Sequence, residues 1–257
     1  MLSKGGIFCG ESMELTELLL KYETENVEKG NVSAVIVAAG SSSRMGGVQK
    51  QLLCIGGIPV LARTLLAFEN AKCIKNIVIV ARECDILGFQ MLVDKYMISK
   101  VTDIVEGGSC REESVKNGVL QLDLDTECVL IHDGARPFVT EEIITAVAEA
   151  AREHGAASCA VAVKDTLKMV ENGVVKQTLN RDSIVSIQTP QGFDYKKFKA
   201  AITSKDDLSV FTDDCSVVEA DGMTVRIVEG SYNNIKITTQ EDVAVAEGIL
   251  GFGGKKC

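Results

Sequence analysis

From Val32 onward the chain alternates short apolar runs, each the length of a buried strand, with longer segments of helical period. Strand-length runs fall at 33–38, 77–80, 101–105, 128–131 and 158–163, and helical patterns at about 58–70, 84–97, 111–122 and 140–154. Continuous apolar runs without in–out alternation belong to strands buried on both faces, and strand–helix alternation brings such strands into register side by side. The fold class is therefore α/β: a mostly parallel sheet with helices on both faces. In such sheets ligands collect at the carboxyl ends of the strands. The rhythm breaks between 165 and 187, where two apolar-alternating stretches flank Glu171-Asn172-Gly173. Asn-Gly favours a tight two-residue hairpin turn, so a β-arm at about 164–187 is expected to leave the core. A two-stranded ribbon needs something to lie on, and a second copy of the chain is the expected partner. Further helices are expected at 194–202, after Thr212 and from about Thr239, with a strand at 225–229.

The first strand ends in Ala38-Ala39-Gly40, followed by Ser41-Ser42-Ser43-Arg44 and then Lys50-Gln51. A triphosphate is wide and highly charged, and the backbone must approach its oxygens without side chains intruding. Small residues leave that room, successive N–H groups form an anion-binding nest, and Arg44 and Lys50 supply cations above it. The spacing is neither that of a P-loop nor that of a dinucleotide fingerprint.

Composition narrows the partners. With 27 basic and 36 acidic residues among 257, the net charge is −9, which argues against nucleic acid or a membrane surface as ligand. Nine cysteines stand singly, without a C-x-x-C pair, so a reduced, cytoplasmic setting is expected rather than a disulfide framework. With two histidines a transition-metal site is not expected, whereas Mg²⁺ arriving with a nucleotide stays open. No signal peptide or membrane span is expected. Residues 1–31 read as an N-terminal extension with an amphipathic helix near 13–22, and 32–257 as the catalytic domain.

His132-Asp133-Gly134-Ala135-Arg136-Pro137 follows the run at 128–131, which places Asp133 and Arg136 at a strand end. A carboxylate there suits a Mg²⁺–phosphate complex, and an arginine suits an anionic substrate. His132, alone at a strand end, is expected to orient loops rather than move protons. Thr140 is expected to cap the next helix. Glu106-Gly107-Gly108-Ser109-Cys110-Arg111 is a second small-residue loop, which either reads a base edge through its amides or only permits a sharp turn. Thr189 in Thr-Pro-Gln-Gly and Lys236 after Asn233-Asn234-Ile235 are further candidates, each ambiguous alone.

Together, in this order and spacing, these motifs resemble the 2-C-methyl-D-erythritol 4-phosphate cytidylyltransferases, from about Val32 to Leu250. Lys164-Asp-Thr-Leu-Lys168, Arg181, Gln188-Thr-Pro-Gln191 and Thr212-Asp-Asp214 extend the likeness. The resemblance implies a Rossmann-like fold of the nucleotide-diphospho-sugar transferase type, a homodimer formed through the arm, and transfer of CMP from CTP to methylerythritol phosphate. It implies that Arg44 and Lys50 stabilise the transition state and that Arg181 and Lys236 position the polyol phosphate. It implies CTP contacts from Ala38, Ala39, Gly40, Ser41, Gly108, Ser109, Ser114 and Asp133. Asp133, Arg136, Thr166, Arg181, Thr189 and Lys236 would meet the polyol phosphate, with Thr166 and Arg181 coming from the partner's arm and Asp133 serving any metal. This chain has Ser109, Gln49 and Asn233 where many relatives carry Asp, Pro and Asp. Two other readings share the features: a ribitol 5-phosphate cytidylyltransferase, and a nucleotide-binding protein without turnover. Gly134-Ala135, where ribitol enzymes usually show Ala-Val, favours methylerythritol phosphate.

Overall fold

A computed structural model describes residues 31–40 and 49–253. The expected helix near 13–22, Ser41 and Arg44 lie outside the described residues. Among the described residues eleven strands occur, in chain order β1 (Val32–Val37), β2 (Cys54–Ile55), β3 (Ile58–Pro59), β4 (Ile74–Ala81), β5 (Val101–Glu106), β6 (Cys128–Asp133), β7 (Ala156–Ala162), β8 (Lys168–Glu171), β9 (Val174–Thr178), β10 (Val185–Asp194) and β11 (Arg226–Glu229). Seven form one sheet in the order β11-β7-β10-β6-β1-β4-β5. Only β10 runs antiparallel to its neighbours, β6 and β7.

The expected double covering is present. In β1, Ala34 and Ile36 join the core formed with the helices Val60–Asn70, Ile86–Lys95 and Glu141–His154. Val35, between them, joins the core formed with Arg111–Leu120, Tyr195–Ser204 and Asp214–Glu219. A strand that buries successive residues on opposite faces has to be apolar throughout, which is the pattern read from its sequence. Thr140 caps the 141–154 helix by accepting from Ile143 N, and Gly155, left-handed at φ 88°, ends it.

Several boundaries differ from the sequence reading. The helix expected from 58 begins at Val60, because Ile58–Pro59 pairs with Cys54–Ile55 in a short antiparallel ribbon. β6 runs two residues further than expected: His132 and Asp133 pair with Ile36 and Val37. Their polarity resembled a loop, yet both are buried. The arm is the β8–β9 hairpin turning at Asn172 (φ 51°) and Gly173 (φ 77°). It ends earlier than expected, since Val185–Ile187 already pairs with β7. β10 itself was not expected, for Pro190 and Gly192 argue against a central strand. Pro190 falls where the β10–β7 register shifts between Ile187 and Gln191, so its missing N–H breaks no regular ladder. Among the described residues no helix is long and apolar enough to cross a membrane.

Candidate active site

Two clefts meet at the carboxyl ends of the central strands and share Arg111, Asp133 and Lys236 in their walls. The smaller, about 330 Å³, lies between the loop after β1 and the loop after β5, lined by Ala39, Gly40, Lys50, Gln51, Gly108, Ser109 and Ser114 among others. The larger, about 570 Å³, opens toward β10 and includes Arg136, Gln188, Thr189, Gln191 and Thr212. The ends of β1 and β6, Val37 and Asp133, lie 96 positions apart in sequence and are joined by a single sheet pairing.

The loop walls are shaped by close approach. A Cβ on Gly107 would lie 2.6 Å from Ala39 Cβ, and one on Gly108 would lie 2.3 Å from Glu113 Cβ, so neither position admits a side chain. Ser114, buried, accepts from Gly108 N at 3.0 Å and donates to Cys110 O at 2.9 Å, fastening the loop from within. Ser109 lines the cleft, but its hydroxyl donates to Glu113 Oε2 at 2.6 Å and its amide donates to the same oxygen at 2.7 Å. Ala38 is set back: its N–H donates to Val80 O and its carbonyl accepts from Gln51, which leaves Ala39 and Gly40 at the cleft wall. Lys50 lines the same wall, its Nζ 3.9 Å from where a Gly40 Cβ would sit.

Asp133 is the electrostatic centre. Lys236 Nζ stands 2.9 Å from Oδ2, Arg136 Nε 3.3 Å from Oδ2 and Arg111 Nε 3.5 Å from Oδ1. Burial alone would raise this carboxyl, but Arg111, Lys236 and Arg136 more than reverse it and hold it well below the usual carboxylate range. Arg136 also donates to Asn234 O at 2.7 Å, and Asn234 donates to Thr189 O at 2.9 Å, which ties the segment carrying Lys236 to β10. Thr189 accepts from Asp133 N at 3.1 Å and lies 3.1 Å from His132 Nδ1. His132 Nε2 faces Arg136 O at 3.3 Å, so the network assigns the proton to Nε2. Burial pushes its pKa down to about 3, and the ring serves as a neutral strut, as expected.

The sequence reading gave no role to Arg111 or Asp214. Arg111 donates to both oxygens of Asp214, at 3.0 and 2.8 Å, and Asp214 is fully buried. Burial works against the Arg111 charge, but Asp214 and Asp133 outweigh it and raise its pKa. One signal was available: Arg111 opens a helix, where a cation is disfavoured by the helix dipole and calls for a compensating anion. Thr166 and Arg181 belong to neither cleft; both are exposed on the arm, and Arg181 donates to Lys164 O at 2.8 Å.

The smaller cleft thus offers Lys50, Arg111 and Lys236 against a single carboxylate, an excess of positive charge suited to a polyphosphate. Residues 32–251 match the family model for 2-C-methyl-D-erythritol 4-phosphate cytidylyltransferase. The chain belongs to that family. It is therefore a nucleotidyltransferase, as the resemblance implied. A relative of this name from Bacillus thuringiensis (strain Al Hakam) is 45% identical over 218 residues, covering 84% of this chain and 96% of the relative. Another, from Clostridium novyi (strain NT), is 47% identical over 225 residues, covering 84% and 95%. The crystal structure of 4-diphosphocytidyl-2C-methyl-D-erythritol synthase from Anaerococcus prevotii DSM 20548 superposes with a TM-score of 0.78 at 36% identity, covering 87% of this chain and 97% of that one.

Proposed function

We propose that this chain transfers CMP from CTP to 2-C-methyl-D-erythritol 4-phosphate, giving 4-diphosphocytidyl-2-C-methyl-D-erythritol and pyrophosphate. An oxygen of the polyol phosphate attacks the α-phosphorus of CTP, a new P–O bond forms, and the bond to the β-phosphate oxygen breaks with its electrons. The observation that carries this reading is the pair of clefts sharing Arg111, Asp133 and Lys236, one wall for each phosphate-bearing substrate. The nucleophile is already an anion, so no general base is needed, and His132, neutral with both nitrogens engaged, is suited to none. Catalysis is positioning and charge stabilisation. CTP lies in the smaller cleft against Ala39, Gly40, Gly108 and Ser109, with Lys50 on its phosphates. The polyol phosphate lies in the larger one, near Arg136, Thr189 and Lys236.

Among the described residues no cluster of three or more acidic, histidine or cysteine side chains is present to hold a metal. One carboxylate beside substrate phosphates nevertheless suits Mg²⁺. Among the described residues Asp133 Oδ1 is met by Arg111 at 3.5 Å and keeps capacity for it, while Oδ2 is taken by Lys236 and Arg136. When bound, Mg²⁺ would neutralise charge on the nucleotide phosphates.

The arm supports a homodimer. Both its strands are exposed along their whole length, and Met169, Val170, Val174 and Val175 are apolar and about half accessible. A partner covering them would bring its Thr166 and Arg181 to this chain's larger cleft. Residues 32–257 make the catalytic unit in this reading, and residues 1–31 an appendage.

Pyrophosphate release, measured with CTP and Mg²⁺ and with methylerythritol 4-phosphate and ribitol 5-phosphate in parallel, tests the assignment. Preference for the former is expected; preference for the latter, or silence with both, overturns it. For the shared site, Arg181→Ala protein mixed with Lys50→Ala protein should regain part of the lost activity, because one hybrid site recovers both groups. No recovery despite proven subunit exchange refutes it.

A further inference from the structure

Gln51 is buried in the wall of the smaller cleft, at 2% exposure, although its neighbours in sequence belong to a short connecting turn. Its Nε2 donates to Ala38 O at 2.6 Å and reaches Gly40 O at 3.5 Å. These bonds fasten the 3₁₀ turn Lys50–Leu52 to the end of β1. The turn is closed by its own bonds, Leu52 N to Gln49 O and Leu53 N to Lys50 O. Gln51 is thus the side-chain link between the strand end that carries the glycine loop and the backbone that carries Lys50.

The other end of the amide sharpens the point. Gln51 Oε1 is buried with no hydrogen-bond partner among the described residues. An unpaired buried acceptor is unfavourable, and an apolar side chain of similar volume would avoid the loss. What an apolar residue lacks is the donor to Ala38 O. We infer that Gln51 is a positioning residue for the transfer reaction, holding Lys50 over Gly40 so that its ammonium meets the reacting phosphate. This rests on the reading of Lys50 as a phosphate-contacting group.

The test uses the full chain and three variants, Lys50→Met, Gln51→Met and Gln51→Glu, with kcat, KM for each substrate and thermal midpoint measured for all. Gln51→Met fills the space without the donor, and misplacing a reacting group by about 1 Å costs on the order of 100-fold in rate. Its kcat is expected to fall by about 10- to 100-fold, with KM for methylerythritol phosphate within about twofold. Gln51→Glu loses the donor when ionised and regains an O–H donor when protonated, and burial raises such a carboxyl by up to ~3–5 units. Its activity relative to the unsubstituted enzyme should therefore climb as pH is lowered, which a purely packing role does not predict. A lowered thermal midpoint with unchanged kcat in both Gln51 variants, alongside a crippled Lys50→Met, overturns the inference alone. Normal turnover of Lys50→Met overturns the reading of Lys50 and the inference with it.

Discussion

Replacing Asp214 by alanine removes one partner of a buried bidentate pair and leaves the Arg111 guanidinium without its anchor. The bonds are 2.8 and 3.0 Å long, Asp214 has 0% exposure and the Arg111 side chain 24%. Breaking such a pair from one side costs about 3–5 kcal/mol, because the remaining charge stays desolvated. For a domain of this size each kcal/mol moves the thermal midpoint by about 2–4 °C, so a drop of roughly 6–20 °C is expected in calorimetry. Asp125→Ala, which breaks the pair between Lys75 and Asp125 with side chains 53% and 65% exposed, is the control and should leave the midpoint unchanged. The double variant Arg111→Met/Asp214→Leu replaces the pair by apolar volume and should recover most of the lost stability. It should not recover turnover, since Arg111 also faces Asp133 and lines both clefts. A midpoint for Asp214→Ala no lower than that of the exposed control would refute the energetic argument, and wild-type kcat in the double variant would refute a chemical role for Arg111.

Lys236→Ala removes the nearest cation to Asp133, 2.9 Å away, and should lower kcat/KM by at least about 100-fold with the midpoint little changed; near-normal pyrophosphate release would take Lys236 out of the site. Gly108→Ala places a methyl 2.3 Å from Glu113 Cβ, so the loop must shift; KM for CTP should rise while KM for the polyol phosphate holds, and equal effects on both would count against a nucleotide role for this loop. His132 has a folded pKa of about 3 against an unfolded value of about 6.5. As pH falls through that window the unfolded chain takes up a proton that the folded one refuses, so stability is lost on acidification by about 1.4 kcal/mol per unit. Urea unfolding of His132→Gln should show a shallower slope between about pH 6 and pH 4; an unchanged slope would place the titration elsewhere.

The parallel core was legible because it follows from local pattern. A strand buried on both faces must be apolar at every position, and a covering helix must repeat its apolar face with helical period. The same holds for the Asn172-Gly173 turn and the Thr140 cap, each set by the dihedral or hydrogen-bond needs of one or two residues. The loop at Ala38–Gly40 was legible as open because only small residues leave backbone room, whereas the loop at Gly107–Gly108 kept two readings in the sequence, and Ala39, Gly40 and Gly108 come together only in the wall of the smaller cleft. Other features depended on neighbours distant in sequence. Strand β10 runs through Pro190 and Gly192, and what makes it a central strand is the space between β6 and β7. His132 and Asp133 read as loop residues, whereas their burial is set by Phe68, Thr189, Arg111 and Lys236 arriving from elsewhere. Arg111 and Asp214 lie 103 positions apart, and no spacing rule joins them. Sequence by itself determined the parallel strands, their covering and the small-residue openings at the strand ends, because those rest on periodicity and steric room within a few residues. Tertiary structure decided which charges meet, because the energy of a buried ion pair depends on distances and desolvation that exist only once the strands are side by side.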